Sequence, residues 1–289
     1  MLHYHRGNGR QQGESRIAGE ASRGCGSIAA MLVDTHIHLD TLADLQQALG
    51  TARSRGIGTW VVPGIAPQHW PRLLATVAAT PGAWAAPGVH PQAAAKWRPE
   101  LAAELRRLAT VPRSVAIGEV GLDGQTGPEM AVQEAVFRQM IGIARDTGRP
   151  LLLHSRRATG RLLELLRAER AFEVGGIAHA FSGSLETAKA LIDLGFALGI
   201  GGVATFPDAR RLAAVVCSVP AEWLVLETDA PDLPPHPHRG EENRPEWLTL
   251  IAAKVAQLRG WTPDEAARIT SGNARRVLHL PNEEENLST

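Results

Sequence analysis

The sequence is poor in cysteine and in aromatic residues, and it has no long apolar run. Two cysteines, Cys25 and Cys217, cannot build a disulfide framework in a chain of 289 residues, which favours a reducing compartment. No apolar run approaches the roughly 18 residues of a membrane helix. Residues 1–30 also lack the apolar middle of a signal peptide. We therefore expect a cytoplasmic protein that does not insert into a membrane.

The chain also lacks net charge. It carries 30 basic and 30 acidic residues, which argues against a protein that coats nucleic acid but leaves room for a basic rim around a cleft. The lysines are only Lys96, Lys189 and Lys254, so arginine dominates the basic residues. Arginine suits bidentate phosphate contacts, although genome composition explains the excess equally well.

Residues 1–30 are polar and rich in glycine, and they show no apolar period. This composition predicts a disordered tail. The alternative is a wrongly annotated start, with Met31 as the first residue of the functional protein. The apolar pattern begins just after Met31, and no linker or repeat follows it, so we expect one folded domain over residues 31–289.

Short apolar runs alternate with helical patterns from Met31 onward. This alternation implies parallel strands with right-handed crossovers. Eight such units over about 250 residues predict an α/β fold, a single (β/α)8 TIM-type barrel. The alternative is an open doubly wound sheet, but the glycine-rich phosphate loop typical of that fold is missing after the first run. The expected strands contain residues 32–33, 59–62, 84–89, 114–117, 150–153, 176–178, 196–200 and 224–226, and the clearest helical patterns cover residues 128–147, 161–169, 185–194, 244–258 and 264–280, the last with Thr262 as N-cap.

Metal-competent side chains recur where the expected strands end. In a barrel the active site is built on the C-terminal ends of the strands. A single buried histidine is usually a hydrogen-bonded core residue, but five histidines and two acids at strand ends indicate a metal site. The residues are His36, His38, His90, Glu119, His154, His179 and Asp229.

The types of ligand limit the metal and its chemistry. Imidazoles with hard carboxylates suit zinc, manganese or related ions such as magnesium more than calcium. Four histidines and two acids exceed one tetrahedral ion and fit two divalent ions that share a carboxylate. No lysine follows a strand where a carbamylated lysine would bridge the ions, so Glu119 is the expected bridge. Two such ions can activate a water and neutralise both oxygens of a displacement.

Eight short motifs follow one another along the chain. They are DTHIHLD at 34–40, GVHP at 88–91, IGEVGLD at 117–123, LHSR at 153–156, HAFSG at 179–183, ETDAP at 227–231, NRPE at 243–246 and NAR at 273–275. Together they resemble the TatD-type metal-dependent hydrolases, a family associated with deoxyribonuclease activity and related to the amidohydrolase barrels. The resemblance covers residues 31 to about 281. It implies that one ion is held by His36, His38, Glu119 and Asp229, and the other by Glu119, His154 and His179.

The sequence departs from the family pattern at two positions. Gly124 stands where the family often has an aromatic residue after Leu-Asp, and Asp232 stands where an aromatic residue often follows Ala-Pro. Both changes remove apolar surface near the expected site.

Further roles are expected around the ions. Asp229 can hold an ion and also orient or deprotonate the attacking water, so Asp229 and Glu119 are the expected catalytic residues. His90 is predicted to contact a substrate oxyanion. The alternative is a histidine whose hydrogen bonds are all made to protein groups behind the metal ligands. Arg156 is predicted to bind a phosphate, with a salt bridge inside the barrel as the alternative. Trp97 could stack a base.

Three functions remain open from the sequence. The first is hydrolysis of phosphodiester bonds in DNA ends or small nucleotide esters. The second is hydrolysis of C–N or carboxylic ester bonds at the same metal site, and the third is metal-dependent binding without turnover. The resemblance favours the first, with DNA or a small phosphodiester as the partner and no obligate protein partner. His236 and His238 are expected to be solvated in a loop at the rim.

Overall fold

The structure is a computed structural model that describes residues 31–281. The predictions for residues 1–30, and for the last part of the expected domain at residues 282–289, lie outside the described residues. Within residues 31–281, none of the helices combines the length and the apolar character that a membrane span requires.

Within residues 31–281, eight parallel strands follow the chain order around a barrel. The first three form one sheet and the last five form another. The strands are β1 (Leu32–Asp34), β2 (Ile57–Pro63), β3 (Ala83–Ala86), β4 (Ile117–Asp123), β5 (Leu151–Arg156), β6 (Gly176–Ala178), β7 (Phe196–Ile200) and β8 (Leu224–Leu226).

Backbone hydrogen bonds close the two sheets into a ring. Between β3 and β4, the N–H of Ala85 donates to Arg113 O at 2.7 Å and the N–H of Val115 donates to Ala85 O at 2.8 Å. Between β8 and β1, the N–H of Thr35 donates to Leu226 O at 3.0 Å. Closure removes both free edges of the sheet, and it confirms the predicted (β/α)8 barrel.

Helices alternate with the strands and surround them. The predicted helical patterns at residues 128–147, 161–169, 185–194 and 264–280 are confirmed to within a few residues at each end. The pattern at residues 244–258 begins as a short 3₁₀ turn, Pro245–Trp247, before the α-helix starts. The α-helices are α1 (Leu45–Ser54), α2 (Trp70–Ala79), α3 (Leu101–Ala109), α4 (Met130–Thr147), α5 (Thr159–Ala168), α6 (Leu185–Ile192), α7 (Arg210–Ser218), α8 (Leu248–Arg259) and α9 (Pro263–Leu278).

The barrel interior is apolar at its lower end, where the strands begin, and α9 covers that end. Val33, Val61, Leu152 and Ile177 belong to one buried cluster that also includes residues of α9. Because side chains alternate between the two faces of a strand, this cluster fills the barrel, and the larger cluster packs between strands and helices. With the lower end covered, polar side chains converge at the opposite end, where the strands terminate.

The start of α9 forms as the sequence predicts. The Thr262 hydroxyl accepts a hydrogen bond from the N–H of Glu265 at 3.2 Å, and the Glu265 carboxylate accepts the N–H of Thr262 at 2.8 Å. This reciprocal pair is a capping box. It satisfies two backbone donors at the helix end.

The bounds of two strands differ from the prediction in a way that matters for the site. The fourth run was expected to end at Ile117, but β4 extends to Asp123, so Glu119 lies inside the strand. Pairing with β5 overrides the low strand propensity of this glycine-rich stretch. Gly121 has a φ of 146°, and a Cβ there would lie 2.0 Å from His154 O, so only glycine allows this approach. The fifth run likewise extends to Arg156.

Candidate metal centre

The first two histidines are held by the junction between β1 and β8. The N–H of His38 donates to Ala230 O at 2.9 Å, and His36 O accepts the N–H of Asp229 at 2.8 Å. Ile37 lies between the two histidines and is fully buried in the core. The chain therefore turns both imidazoles toward the carboxylate of Asp229, whose Oδ1 is 3.6 Å from His36 Nε2 and 3.3 Å from His38 Nε2.

Asp34 fixes this junction, a role that the sequence pattern does not predict. Its carboxylate accepts hydrogen bonds from the Thr228 hydroxyl at 2.6 Å and from the Thr228 N–H at 3.0 Å. It also accepts the N–H of His36 at 3.3 Å. Burial raises the pKa of Asp34 to about 8, against the opposing effect of these bonds. The hydrogen bonds of Asp34 thus hold the ends of β1 and β8 together next to the two histidines.

Glu119 projects from β4 into the middle of the cluster. Its Oε2 lies 3.2 Å from His36 Nε2, and its Oε1 lies 2.7 Å from His154 Nδ1. Its side chain is only 4% exposed. Burial favours the neutral carboxyl, but the imidazoles of His36 and His179 outweigh it and hold the pKa of Glu119 well below its usual range. The two oxygens of this ionised carboxylate face two different sets of nitrogen ligands.

His90 adjoins the second of these sets. Its Nε2 lies 3.1 Å from His154 Nδ1 and 3.6 Å from Glu119 Oε1. Its Nδ1 accepts the N–H of Gln92 at 3.2 Å. Burial lowers the pKa of His90 to about 4, so the ring is neutral at pH 7. Because Nδ1 is the acceptor, the proton of the neutral ring lies on Nε2 and is directed into the site.

His179 lies against a buried carboxylate, Glu227, which was not among the predicted site residues. Glu227 Oε1 lies 3.0 Å from His179 Nδ1 and accepts the N–H of Ala180 at 2.5 Å. Burial opposes the charged imidazolium, but Glu227, Asp229 and Glu119 together raise the pKa of His179 to about 10. A signal was present in the sequence, since Glu227 precedes Asp229 by two residues directly after an apolar strand.

Among the described residues, the ligand atoms form three overlapping groups, each with members within 4.8 Å of one another. Glu119 belongs to two of them. His179 groups with His36, and its ring stacks on the His36 ring with centroids 3.5 Å apart. His154 groups with His90, whereas the family resemblance implies a set in which His154 joins His179. The groups are His36, His38 and Asp229; His36, Glu119 and His179; and His90, Glu119 and His154.

The donor set fits divalent metal ions. Both ring nitrogens of His36 and Nε2 of His154 are buried and have no hydrogen-bond partner within the part of the chain that the structure describes. Buried polar atoms in native proteins nearly always have a partner. Here these nitrogens lie among ionised carboxylates, and nitrogen with carboxylate oxygen is the donor combination that zinc and manganese accept.

The remaining predicted residues lie in different surroundings. Arg156 lines the cavity of about 630 Å³ that contains the metal ligands, and among residues 31–281 it forms no ion pair, so the salt-bridge alternative is not observed. Trp97 was expected to be available for base stacking, which is wrong: it is 6% exposed and its Nε1 donates to Gln139 at 2.9 Å. His236 is exposed, but His238 stacks on Trp247 at 3.9 Å instead of being fully solvated.

Comparison with known proteins identifies the family. Residues 33–279 match the family model described as TatD related DNase. The chain belongs to the TatD family of metal-dependent hydrolases. It is 35% identical over 262 residues to YabD of Bacillus subtilis, an uncharacterized metal-dependent hydrolase, with 86% of this chain and 100% of YabD covered. The predicted resemblance is therefore confirmed.

Solved structures of TatD proteins support the same fold. YjjV, a TatD homologue from Escherichia coli K12, superposes with a TM-score of 0.83 at 31% identity, and the match covers 88% of this chain and all of YjjV. A TatD-family hydrolase from Entamoeba histolytica superposes with a TM-score of 0.78 at 19% identity, over 88% of this chain and all of that chain, which shows the fold alone.

Proposed function

We propose that this TatD protein hydrolyses phosphodiester bonds, with the ends of DNA strands as its substrates. The observation that carries the proposal is the position of Glu119. One oxygen faces His36 and the other faces His154, so a single buried carboxylate can bridge two cations in one cavity. When bound, two divalent ions would polarise the phosphate and the attacking water.

The ligand sets we propose follow the family pattern. His36, His38, Glu119 and Asp229 would hold one ion, and Glu119, His154 and His179 would hold the other. His90 retains the substrate role predicted from the sequence. His90 could bind a metal ion only through a lone pair on Nε2. Its Nδ1 already accepts the N–H of Gln92, so the proton of the neutral ring lies on Nε2. That N–H can donate to an oxygen of the substrate phosphate.

Two further residues act on the reacting groups. The Asp229 carboxylate lies beside both His36 and His38, where it can accept a proton from the attacking water. Burial favours the neutral carboxyl, but His179 and His38 lower the pKa of Asp229, which keeps it ionised and able to accept that proton. The guanidinium of Arg156 at the cavity wall has no acidic partner within residues 31–281 and can bind a non-bridging phosphate oxygen.

An assay with two substrate classes tests this proposal. Metal-reconstituted protein would be given 3′-labelled single-stranded DNA with Mn²⁺ or Mg²⁺, and in parallel a panel of lactones and amides. Release of mononucleotides supports the phosphodiesterase. Turnover confined to the lactones or amides would replace it with hydrolysis of carboxylic ester or C–N bonds, and no turnover of either class would favour a binding protein. The cytoplasmic location stays a prediction.

A further inference from the structure

A second cavity adjoins the metal centre on one side. It measures about 320 Å³ and lies where β5 and β6 end and where α5 and α6 begin. We call it the arginine cavity, since Arg156, Arg157 and Arg211 line it. It shares Arg156 and His179 with the cavity of the metal centre, so the two cavities lie side by side. A substrate group next to the one bound at the metal centre would therefore lie close to its mouth.

The lining of the arginine cavity carries positive charge and no acidic side chain. None of the described residues that line it is Asp or Glu. Arg156 and Arg157 are exposed and form no ion pair within residues 31–281. Arg161, a few residues further along, behaves differently, because it pairs with Glu134 at 2.6 Å and with Glu164 at 2.8 Å. The guanidinium groups of Arg156 and Arg157 therefore have no acidic partner among the described residues and can bind an anion.

Hydrogen bonds to the backbone position the Arg211 side chain and the chain segment that carries Arg156 and Arg157. Arg211 Nη2 donates to Ser182 O at 3.2 Å, which ties α7 to the loop after β6. Arg157 has a left-handed φ of 50°. Gly124 allows the strand end that carries Arg156 and Arg157 to approach β4, because its N–H donates to Arg156 O at 2.7 Å and a Cβ at this position would lie 2.8 Å from Arg157 O.

This contact gives a reason for one departure from the family pattern. At the position of Gly124 the family often has an aromatic residue, and the backbone of residue 157 occupies the space where such a side chain would begin. A side chain at position 124 would therefore require the backbone of residue 157 to shift. An aromatic surface would bind a base, whereas guanidinium groups bind an anion.

The inner wall of the cavity is apolar and its mouth is polar. Phe181, Leu162 and Leu191 are buried side chains of the wall. The Ser155 and Thr159 hydroxyls, 2.9 Å apart, lie beside the arginines as further hydrogen-bond donors. An apolar wall next to an arginine-rich mouth suits a nucleotide, whose sugar or base contacts the wall while its phosphate meets the guanidinium groups.

We propose that the arginine cavity binds a second phosphate of the substrate, next to the phosphodiester that is cleaved at the metal centre. This inference rests on the proposed phosphodiesterase function and adds a substrate requirement to it. The enzyme then prefers substrates with at least two phosphate groups over those with a single phosphodiester bond. Arg157 and Arg211 determine this preference.

Three dinucleotides test the requirement. TpT has one phosphodiester, whereas pTpT and TpTp add a terminal phosphate at the 5′ or the 3′ end. We expect the wild-type enzyme with Mn²⁺ to cleave one of the phosphorylated dinucleotides with at least about a tenfold higher kcat/KM than TpT, the gain typical of a charge-assisted hydrogen bond. The R157A/R211A double variant should lose this ratio, mainly through KM. R167A, which removes an exposed arginine outside the cavity, should retain it.

Binding measurements give a readout that is independent of turnover. Titration calorimetry should show tighter binding of thymidine 3′,5′-bisphosphate than of thymidine 5′-monophosphate to the wild type. R157A/R211A should lose the difference and R157K/R211K should keep part of it. Gly124→Ala should also weaken the bisphosphate, because its Cβ displaces the backbone of residue 157, and a melting curve would check that this variant folds.

The dinucleotide assay separates failure of the phosphodiesterase function from failure of the second-phosphate site. If the wild type cleaves none of the three dinucleotides, the proposed phosphodiesterase function is wrong and the second-phosphate site falls with it. If the wild type cleaves all three equally well, or if R157A/R211A lowers kcat/KM equally for TpT and for the phosphorylated dinucleotides, the second-phosphate site alone is wrong.

Discussion

Glu227 Oε1 lies 3.0 Å from Nδ1 of His179, and both side chains are almost completely buried. The contact fixes the imidazole with Nε2 directed at Glu119, 3.8 Å away, and at Asp229, 3.7 Å away. Carboxylates that hold the distal nitrogen of a ligand histidine set its orientation and increase its basicity. Glu227 therefore acts on the metal centre through His179.

We predict that Glu227→Gln weakens the centre without unfolding the barrel. The amide oxygen can still accept the N–H of Ala180, but the negative charge beside His179 is lost. Metal affinity or kcat should fall by roughly 10–100-fold, the usual effect of removing such a partner. Metal titration, a melting curve and kcat measure this, with Glu104→Gln on the exposed face of α3 as the control. Unchanged metal affinity and kcat would show that the charge of Glu227 does not act on the metal centre.

Asp229→Asn separates proton transfer from metal binding. The amide keeps the size and one oxygen ligand but removes the charge and most of the basicity. With His154 and His179 intact, we expect one ion to remain bound and the other to be weakened. At saturating metal, kcat should fall by at least about 10²–10⁴-fold, as for the loss of a general base. Near wild-type kcat in the fully metallated variant would remove Asp229 from this role, and Asp193→Asn controls for a surface carboxylate.

The two-ion proposal predicts a stoichiometry. Protein stripped with a chelator and titrated with Zn²⁺ or Mn²⁺ should take up two equivalents, because the oxygens of Glu119 face two sets of nitrogens. Glu119→Gln should weaken both binding events, whereas His38→Ala should weaken only one. Calorimetry and elemental analysis report the number directly, and saturation at one equivalent would exclude the bridged pair.

Arg156→Ala tests how the substrate is bound. The side chain has no acidic partner among the described residues, so its removal should leave the melting temperature nearly unchanged. KM for a phosphodiester should rise by tenfold or more, because a charge-assisted bond contributes about 1.5–3 kcal/mol. Arg156→Lys should recover part of the loss. A lower melting temperature with normal KM would indicate a structural role.

The capping box of α9 allows a test of the fold that does not involve the site. Thr262→Ala removes the acceptor of the Glu265 N–H and should lower the free energy of unfolding by about 1 kcal/mol. Thr262→Ser keeps the hydroxyl and should be close to wild type. Denaturant unfolding measures both, and kcat of the folded variants should be unchanged. Equal stability of the two variants would mean that the cap contributes little to the barrel.

The sequence was sufficient for the barrel and for the convergence of most of the polar residues. Strand ends of a parallel barrel share one face, so His36 and Asp229 could be placed together although 193 positions separate them. The limits of β4 could not be predicted, because its apolar period stops at Ile117 while pairing with β5 continues the strand. That pairing is tertiary, and propensity does not report it.

Side-chain partners were the least predictable part. The sequence predicted Trp97 to be a surface aromatic residue in a loop. In the structure its Nε1 donates a hydrogen bond to Gln139 on α4, 42 residues away. Asp34 and Glu227 stood inside recognisable motifs, yet nothing in the local pattern shows that one locks β1 to β8 or that the other holds His179. Such roles depend on burial and on partners that only the folded chain brings together.

The cover that α9 provides has a consequence for biosynthesis. The N–H of Val33 in β1 donates to Ser271 Oγ in α9, 238 residues later, and Asn273 Nδ2 donates to Leu224 O at the start of β8. Until the ribosome has released α9, the first strand lacks this partner and the apolar interior stays open to water. The barrel interior therefore cannot be covered while the chain is shorter than about 280 residues, and the exposed apolar surface favours aggregation during that time.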